Sequence, residues 1–318
     1  MNESFLKKYR PKRYVDFVID SEYIDLLNTL IEMDNLNILL IGDSSCGKSS
    51  LLEATIREYY DCDTIPKDNV LYINNLYEQG ISYYRTEVKT FCQTPSNVRG
   101  KKKFIVLDDI DFISEQSQQV FRNCIDKYSH NVNFISSCTN TQKVVESLQS
   151  RSTLIKIKSL SNELLNKIII HIKENEKIQI EQPAQDFILQ ICNNSVRLLI
   201  NYMEKFHLLG EKITLERAKL ICTNISYYDF EKFTVEWYVK KNLQQAIKII
   251  MCIFDKGYSV MDILNSYFQF VKISNTISET DKYKTIKIIC KYISLFHTLH
   301  EDEIELLFFT YELIQLNM

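Results

Sequence analysis

The chain has 318 residues, 45% of them hydrophobic and 25% charged, a composition that is ordinary for a soluble globular protein and a length that predicts two or three domains. The formal net charge of −3 argues against a protein held on nucleic acid by overall charge, although a local basic patch is compatible with it. No apolar run is long enough to span a bilayer and no secretory signal follows the basic N-terminus, so we expect an intracellular protein.

Short β-rich runs alternate with helical stretches in the first half of the chain. This alternation predicts a parallel sheet covered by helices. A continuous apolar run such as Phe104–Leu107 suits a strand that is buried on both faces. The five predicted strands are Asn37–Ile41, Val70–Ile73, Phe104–Leu107, Val132–Ser137 and Leu154–Ile157.

The strand signal fades after about Lys158, and apolar residues then recur at helical spacing. We therefore predict a small helical domain over residues 158–222 and a second all-helical block over residues 223–318. Residues 1–157 form the predicted α/β domain.

Nine cysteines occur without a C-x-x-C pair, and most lie in apolar runs. Cys138 and Cys252 are examples, and we predict free, buried thiols rather than disulfides.

The first chemical motif is the loop Gly42-Asp43-Ser44-Ser45-Cys46-Gly47-Lys48-Ser49, which follows a predicted strand and opens a predicted helix. This context favours a P-loop, whose glycines let backbone N–H groups approach phosphates at a helix N-terminus. In this pattern Lys48 reaches the β- and γ-phosphates and Ser49 is a ligand of Mg²⁺. We predict that ATP and Mg²⁺ bind at residues 42–50, Ser50 included.

Two acids follow the predicted strand Phe104–Leu107. In P-loop ATPases such a strand holds Mg²⁺ with one acid, and a further polar residue orients the attacking water. We assign Asp108 to the metal and Asp109 to the water. Asp109 is one methylene shorter than the Glu usual in this role, so hydrolysis is expected to be weak.

The next strand ends in Thr139 and Asn140. In ATPases of this kind a polar side chain at that strand end faces the γ-phosphate, so both residues are candidates for this contact. Taken alone, a Thr-Asn strand end is more often a turn.

Seven further short segments are distributed along nearly the whole chain. They are Lys8-Tyr9-Arg10-Pro11-Lys12, Leu71-Tyr72-Ile73-Asn74-Asn75, Gly80-Ile81, Gln118-Gln119-Val120-Phe121-Arg122, Gln149-Ser150-Arg151-Ser152, Asn194-Ser195-Val196-Arg197-Leu198 and Gly257-Tyr258-Ser259. In the order of these segments and of the motifs above, the chain resembles the small subunits of replication factor C, the clamp loader within the AAA+ ATPases.

The resemblance implies an α/β P-loop AAA+ domain with a parallel five-stranded sheet, then a helical lid domain and an all-α collar domain that assembles into a pentamer. It implies that Arg151 acts in trans, as a finger that points into the ATP site of the neighbouring subunit. Arg197 would contact the γ-phosphate in cis from the lid, and Tyr9, Arg10 and Pro11 would border the adenine. Without the resemblance, a surface arginine is the simpler interpretation of Arg151 and Arg197.

Three residues depart from the family pattern. Asp109 replaces Glu, Ser152 replaces Cys, and Thr139 stands where Asn is usual, with Asn140 one position late. These departures favour a subunit that binds ATP and turns it over slowly.

The family's partners are the other clamp-loader subunits, a sliding clamp and primer–template DNA, in the nucleus or at a viral replication site. Arg85 falls at the family's DNA-facing position, and Lys89, Arg122 and Lys143 are further candidates for phosphate contacts. The run Lys101-Lys102-Lys103 is interpreted as an exposed loop.

Two alternatives remain open from the sequence. One is a non-catalytic scaffold that binds nucleotide and supplies Arg151 to a neighbour. The other is a different AAA+ machine, such as an initiator or helicase loader, against which the all-helical C-terminal block argues.

Overall fold

The computed structural model describes residues 3–73, 83–222, 225–296 and 300–316. Its contacts divide the chain into two compact units, residues 1–176 with 194–204, and residues 177–193 with 205–318. The division into domains 1–157, 158–222 and 223–318 stays a prediction. Across the described residues, no helix combines the length and the apolar character that crossing a membrane requires.

A five-stranded parallel sheet organises the first unit, with the strand order β2-β3-β4-β1-β5. All five predicted strands are confirmed to within one residue at either end. The strands are β1 (Ile38–Ile41), β2 (Val70–Ile73), β3 (Lys103–Leu107), β4 (Val132–Cys138) and β5 (Thr153–Lys156).

The three central strands explain why the motif residues meet. Every residue of β3 and β4 is buried, as expected for parallel strands covered on both faces, whereas the edge strand β5 has exposed positions. Ile41 of β1 pairs with Cys138 of β4, and Leu107 of β3 pairs with Ser136 of β4. The carboxyl ends of β1, β3 and β4 therefore lie side by side at one edge of the sheet.

Helices of the first unit pack on both faces of the sheet. Alternate residues of β1 point to opposite faces, so Ile38 and Leu40 belong to one apolar cluster and Leu39 to the other. The helices are α1 (Phe5–Lys8), α2 (Ser21–Glu32), α3 (Lys48–Tyr60), α4 (Lys89–Gln93, directly after a π-helical turn at Tyr84–Val88), α5 (Glu115–Tyr128), α6 (Glu146–Gln149), α7 (Asn162–Glu176) and the beginning of α9 (Val196–Leu209).

The second unit is built from helices, and from Ile225 onward every regular element among the described residues is helical, as predicted. Its core surrounds Tyr267, whose fully buried hydroxyl pairs with Thr234 at 3.0 Å and accepts from Trp237 Nε1 at 2.8 Å. The helices are α8 (Gln182–Ile191), the rest of α9, α10 (Leu215–Ile221), α11 (Tyr227–Thr234), α12 (Leu243–Phe254), α13 (Val260–Ile273), α14 (Glu279–Leu295) and α15 (Ile304–Gln315).

The lysine run before β3 does not form the exposed loop that its charge suggested. Lys103 is buried, and its amine donates to Phe91 O at 3.0 Å, Thr94 O at 3.3 Å and Thr94 Oγ1 at 2.6 Å. The amine of Lys102 donates to Asp34 O at 2.7 Å. The prediction was wrong because backbone carbonyls converge at the start of β3 and provide acceptors for these amines.

The nine cysteines are all free thiols, as predicted. Six are buried, including Cys138, but Cys252 and Cys290 are exposed. The prediction that Cys252 is buried was wrong because the apolar run that surrounds it forms α12, and a helix buries only part of its circumference.

Candidate nucleotide-binding site

The loop from Gly42 to Ser49 joins β1 to α3. Two of its residues adopt left-handed backbone angles, with φ of 64° at Ser45 and 98° at Gly47. Gly47 directly precedes α3, so the amide end of that helix faces the loop. A helix start of this kind offers N–H donors and the positive end of the helix dipole to an anion.

Gly42 leaves no room for a side chain. A Cβ atom at this position would lie 2.8 Å from the backbone oxygen of Ile157 and 3.0 Å from Cys46 Sγ. Cys46 is itself buried, and burial raises the pKa of its thiol. The first glycine of the motif is therefore required by close packing, and the second by its backbone conformation.

Lys48 is buried, with 6% of its surface exposed. Its amine donates to the backbone carbonyls of Gly42 and Asp43, both at 2.8 Å. A phosphate oxygen carries charge and is a stronger acceptor than these carbonyls. The ammonium is thus held within the loop by contacts that a phosphate could replace.

Ser49 and Asp108 meet although they are far apart in sequence. Ser49 Oγ donates to Asp108 Oδ1 at 3.0 Å, and Ser137 Oγ from β4 donates to the same oxygen at 2.6 Å. A hydroxyl and a carboxylate are hard oxygen ligands of the kind that Mg²⁺ prefers. With the loop geometry and Lys48, this donor set fits a magnesium nucleotide held by Lys48, Ser49 and Asp108.

Asp109 is the residue predicted to orient water. Its backbone is left-handed, with φ of 54°, and its N–H donates to Ser137 Oγ at 3.0 Å. Burial and the neighbouring Asp108 carboxylate raise the pKa of Asp109, while Lys48 and Arg197 oppose the rise. Both predicted cations are therefore within electrostatic range of this carboxyl.

Thr139 and Asn140 lie at the end of β4, and both are exposed. The hydroxyl of Thr139 donates to Asp111 Oδ2 at 2.5 Å, and the side chain of Asn140 accepts from Gln142 N at 2.9 Å. In this structure both predicted γ-phosphate contacts are engaged within the protein.

Asp111 is a residue that the sequence analysis did not single out. It is buried, and its Oδ2 accepts from Thr139 N and Asn140 N, each at 3.1 Å, as well as from the Thr139 hydroxyl. Burial alone would raise the pKa of this carboxyl, but hydrogen bonds to the carboxylate, the strongest from the Thr139 hydroxyl, outweigh it and the pKa is lowered. The only sequence signal was a third acid in Asp-Asp-x-Asp.

Arg151 is held by its own subunit's α5 and α6. Its Nε donates to Asp126 Oδ1 at 2.5 Å and its guanidinium also donates to Ser147 O at 2.7 Å. The same carboxylate lies 3.6 Å from Arg122 Nε. The predicted trans finger and one predicted DNA contact therefore share Asp126.

The N-terminal segment is anchored beside α3 and α7. Tyr9 donates its hydroxyl to Glu176 at 2.5 Å, and burial together with this carboxylate raises the pKa of Tyr9 to about 12. Arg10 donates to Ser50 Oγ at 3.3 Å and to Glu53 at 2.9 Å. The predicted adenine-bordering residues Tyr9 and Arg10 thus contact the helix that follows the P-loop and the last residue of α7.

Two family models match the chain. A model described as an AAA domain matches residues 34–165, and one described as the replication factor C C-terminal domain matches residues 232–295. A putative replication factor C small subunit of Acanthamoeba polyphaga mimivirus is 27% identical, over 90% of this chain and 88% of the relative. The replication factor C small subunit of Methanococcus maripaludis is also 27% identical, over 91% of each chain. Over nearly its whole length, this chain is therefore similar to replication factor C small subunits.

A further relative is replication factor C subunit 3 of Oryza sativa, 25% identical over 84% of this chain and 74% of the relative. Among solved structures, a DNA polymerase III gamma subunit-related protein of Thermotoga maritima matches with a TM-score of 0.55 and 14% identity, covering 91% of this chain and 98% of that one. The RuvB Holliday junction branch migration motor of the same organism has a TM-score of 0.55 and 13% identity, over 88% and 98% of the two chains. At such identities these structures support the AAA+ fold alone.

The four predicted DNA contacts occupy different positions. Arg85 and Lys89 are exposed and lie about one turn apart on the continuous stretch formed by the π-helical turn and α4. Arg122 is paired with Asp126, and the amine of Lys143 lies 5.7 Å from the ring centroid of Phe112. The family segments at Asn74, Asn75 and Gly80-Ile81 lie outside the described residues.

Proposed function

We propose that this chain is an ATP-hydrolysing small subunit of a clamp loader, which opens a sliding clamp and loads it onto primer–template DNA. The observation that carries the proposal is the contact of Ser49 Oγ with Asp108 Oδ1 at 3.0 Å beside the buried Lys48. It joins the two halves of a P-loop ATPase site in a chain whose relatives are replication factor C small subunits.

The reaction is hydrolysis of ATP by water to ADP and phosphate, and each residue has a separate task in it. Lys48 neutralises charge on the β- and γ-phosphates, and Ser49 and Asp108 supply oxygen ligands for Mg²⁺. Asp109 orients the attacking water. Arg197 contacts the γ-phosphate in cis, and Arg151 reaches the neighbouring subunit's nucleotide.

The partners follow from the same assignment. The working assembly is a pentamer with other clamp-loader subunits, in which residues 1–157 form the ATPase domain, 158–222 the lid and 223–318 the collar. Arg85, Lys89, Arg122 and Lys143 would contact the phosphate backbone of DNA, which gives affinity without sequence preference. The site of action in this proposal is intracellular: the nucleus, or a cytoplasmic viral replication site if the protein is encoded by a virus, and viral and plant proteins are among the relatives.

The test is DNA- and clamp-stimulated ATPase activity of the reconstituted assembly. Lys48→Ala should abolish turnover at this subunit's own site. Arg151→Ala should lower turnover at the neighbouring site by at least about tenfold, since arginine fingers contribute about 10³–10⁵ in GTPases. Lys127→Ala, an exposed change on α5, is the control and should leave the rate unchanged. Full stimulated activity with Lys48→Ala would refute catalysis here, and full activity with Arg151→Ala would refute the trans role.

A second candidate is a scaffold subunit that binds nucleotide and supplies Arg151 but hardly hydrolyses. Two sequence features favour it, namely the short Asp109 where the family has glutamate and Thr139 where the family has asparagine. Single-turnover hydrolysis at this site, with the neighbouring sites disabled by P-loop substitutions, separates the two candidates. Turnover that matches a neighbour's would eliminate the scaffold.

A further inference from the structure

The turn that carries Asp109 has an unfavourable backbone conformation. A φ of 54° lies in the left-handed region, which L residues occupy sparsely, although Asp tolerates it better than most. Such a conformation persists only where the surroundings fix it. Here two contacts with the end of β4 fix the turn. One is made by the backbone of Asp109 and the other by the side chain of Asp111.

The first contact is the hydroxyl of Ser137, which is completely buried. It accepts a hydrogen bond from Asp109 N at 3.0 Å and donates one to Asp108 Oδ1 at 2.6 Å. A single hydroxyl therefore fixes the peptide of the water-orienting residue and the carboxylate of the metal-binding residue together.

The second contact is the carboxylate of Asp111, which accepts the backbone N–H groups of Thr139 and Asn140 and the hydroxyl of Thr139. All three bonds end on Oδ2. The other oxygen, Oδ1, is buried and has no hydrogen-bond partner among the described residues. Burying an ionised carboxylate with one unpaired oxygen costs free energy, and apolar side chains could join the turn to the strand without that cost. Folding alone therefore does not explain a carboxylate at this position.

We propose that Asp111 and Ser137 are positioning residues for hydrolysis. Asp111 in the turn after β3 and Ser137 in β4 join that turn to the end of β4, and so hold Asp109 in place. Thr139 then acts through Asp111: its hydroxyl fixes the orientation of this carboxylate by a hydrogen bond and does not contact the γ-phosphate directly. The inference rests on the proposed ATPase function. The donor is the threonine that stands where the family has asparagine, and its hydroxyl reaches Asp111 at 2.5 Å.

The experiment compares two quantities for each variant. Equilibrium affinity for a slowly hydrolysed ATP analogue with Mg²⁺ is measured on the full chain. Single-turnover hydrolysis is measured in the reconstituted assembly with the neighbouring sites disabled. Because Thr139 is exposed, Thr139→Val and Thr139→Ser test its hydrogen bond to Asp111 without disturbing the core. Thr141→Val, two residues further on, is the matched control.

A positioning role predicts that the single-turnover hydrolysis rate falls while nucleotide affinity is retained. Thr139→Val, Asp111→Asn and Ser137→Ala should each lower the hydrolysis rate by on the order of tenfold to a hundredfold, as expected for a misplaced catalytic group, with affinity within about threefold. Thr139→Ser keeps the hydroxyl and should retain most of the rate that Thr139→Val loses. Thr141→Val should match the wild type.

The possible outcomes distinguish a failure of the positioning role from a failure of the proposed ATPase function. Unchanged hydrolysis by Thr139→Val, or equal losses of affinity and rate, would overturn the positioning role while leaving the ATPase intact. If Asp111→Asn fails to fold, the Thr139 pair decides the question. A wild-type rate no higher than that of Lys48→Ala would instead reject the ATPase itself, and the positioning role with it.

Discussion

Glycines in this chain are required for two different physical reasons. At Gly42 the restriction is space, since the backbone oxygen of Ile157 and the sulfur of Cys46 crowd the position. At Gly100 the restriction is conformation, since φ is 74° but nothing lies within 4 Å of an added Cβ. The two residues therefore allow a comparison in which the same methyl group is added to a functional loop and to a remote turn.

Gly42→Ala should lower both nucleotide affinity and stability. The methyl group must displace either the P-loop or the strand end at Ile157, and overpacking of this kind typically costs about 1–3 kcal/mol. Gly100→Ala should cost about 1 kcal/mol through its backbone angle alone and leave affinity unchanged. Titration calorimetry with a magnesium nucleotide and urea unfolding measure the two quantities. Equal affinity losses in both variants would contradict the crowding at Gly42.

Among the elements, the start of β3 depends on a buried amine. The amine of Lys103 links β3 to the end of α4, because it donates to Phe91 O and to two oxygens of Thr94. Its amine also lies 3.9 Å from the ring centroid of Phe91. The buried ammonium group of this lysine therefore has three oxygen acceptors, which compensate for its removal from water.

Lys103→Met should destabilise the chain, because it keeps the aliphatic stem but removes the hydrogen bonds that a buried cation makes to Phe91 and Thr94. Hydrogen bonds to charged groups contribute about 1.5–3 kcal/mol, so unfolding in urea should shift accordingly. Lys101→Met removes only a cation lying 4.4 Å from the ring centroid of Tyr59 and should cost less than about 1 kcal/mol. Equal stability of the two variants would show that the Lys103 contacts are dispensable.

The same amine makes stability depend on pH. Burial lowers the pKa of Lys103 below its ordinary value of 10.5, so the unfolded chain binds this proton more tightly than the folded chain. Its contribution to the free energy of unfolding therefore rises as the pH increases from the folded pKa toward 10.5. Lys103→Met should lack this rise, which urea titrations at several alkaline pH values would detect.

For the whole molecule, the trans half of the proposed mechanism depends on Asp126. This carboxylate holds Arg151, and the Arg151 guanidinium in turn lowers the pKa of Asp126, so the carboxylate is charged at neutral pH. A finger has to be oriented before the neighbouring subunit is met, since ordering a long side chain during assembly costs entropy. Asp126 and the carbonyl of Ser147 supply that orientation.

Asp126→Ala should lower stimulated hydrolysis at the neighbouring site while leaving this chain's own nucleotide affinity unchanged. The loss should be smaller than that of Arg151→Ala, because the guanidinium remains present but less ordered. Asp255→Ala removes another exposed acid and serves as the control. A neighbouring-site rate that Asp126→Ala leaves intact would show that Arg151 needs no holding partner.

The sequence predicted the strands and the P-loop because both depend on local patterns. Continuous apolar runs identify buried parallel strands, and the motif from Gly42 to Ser49 has fixed spacing. Ser137 and Asp111 escaped prediction because their roles depend on which residues of β4 face the turn after β3, and register between strands is not written in either segment alone. Lys103 was misjudged for the same reason, since its acceptors come from a different element.

The cysteine thiols differ in exposure, so the exposed ones can be labelled selectively to follow the proposed assembly. Maleimide dyes should attach first to the exposed Cys252 and Cys290, both in the second unit. Cys46, within the P-loop, is shielded by the surrounding protein, and burial raises the pKa of its thiol. The unaltered chain could therefore carry fluorescent reporters on its helical portion without any engineered residue. Energy transfer from such reporters to labelled partner subunits would follow recruitment while nucleotide binding proceeds undisturbed.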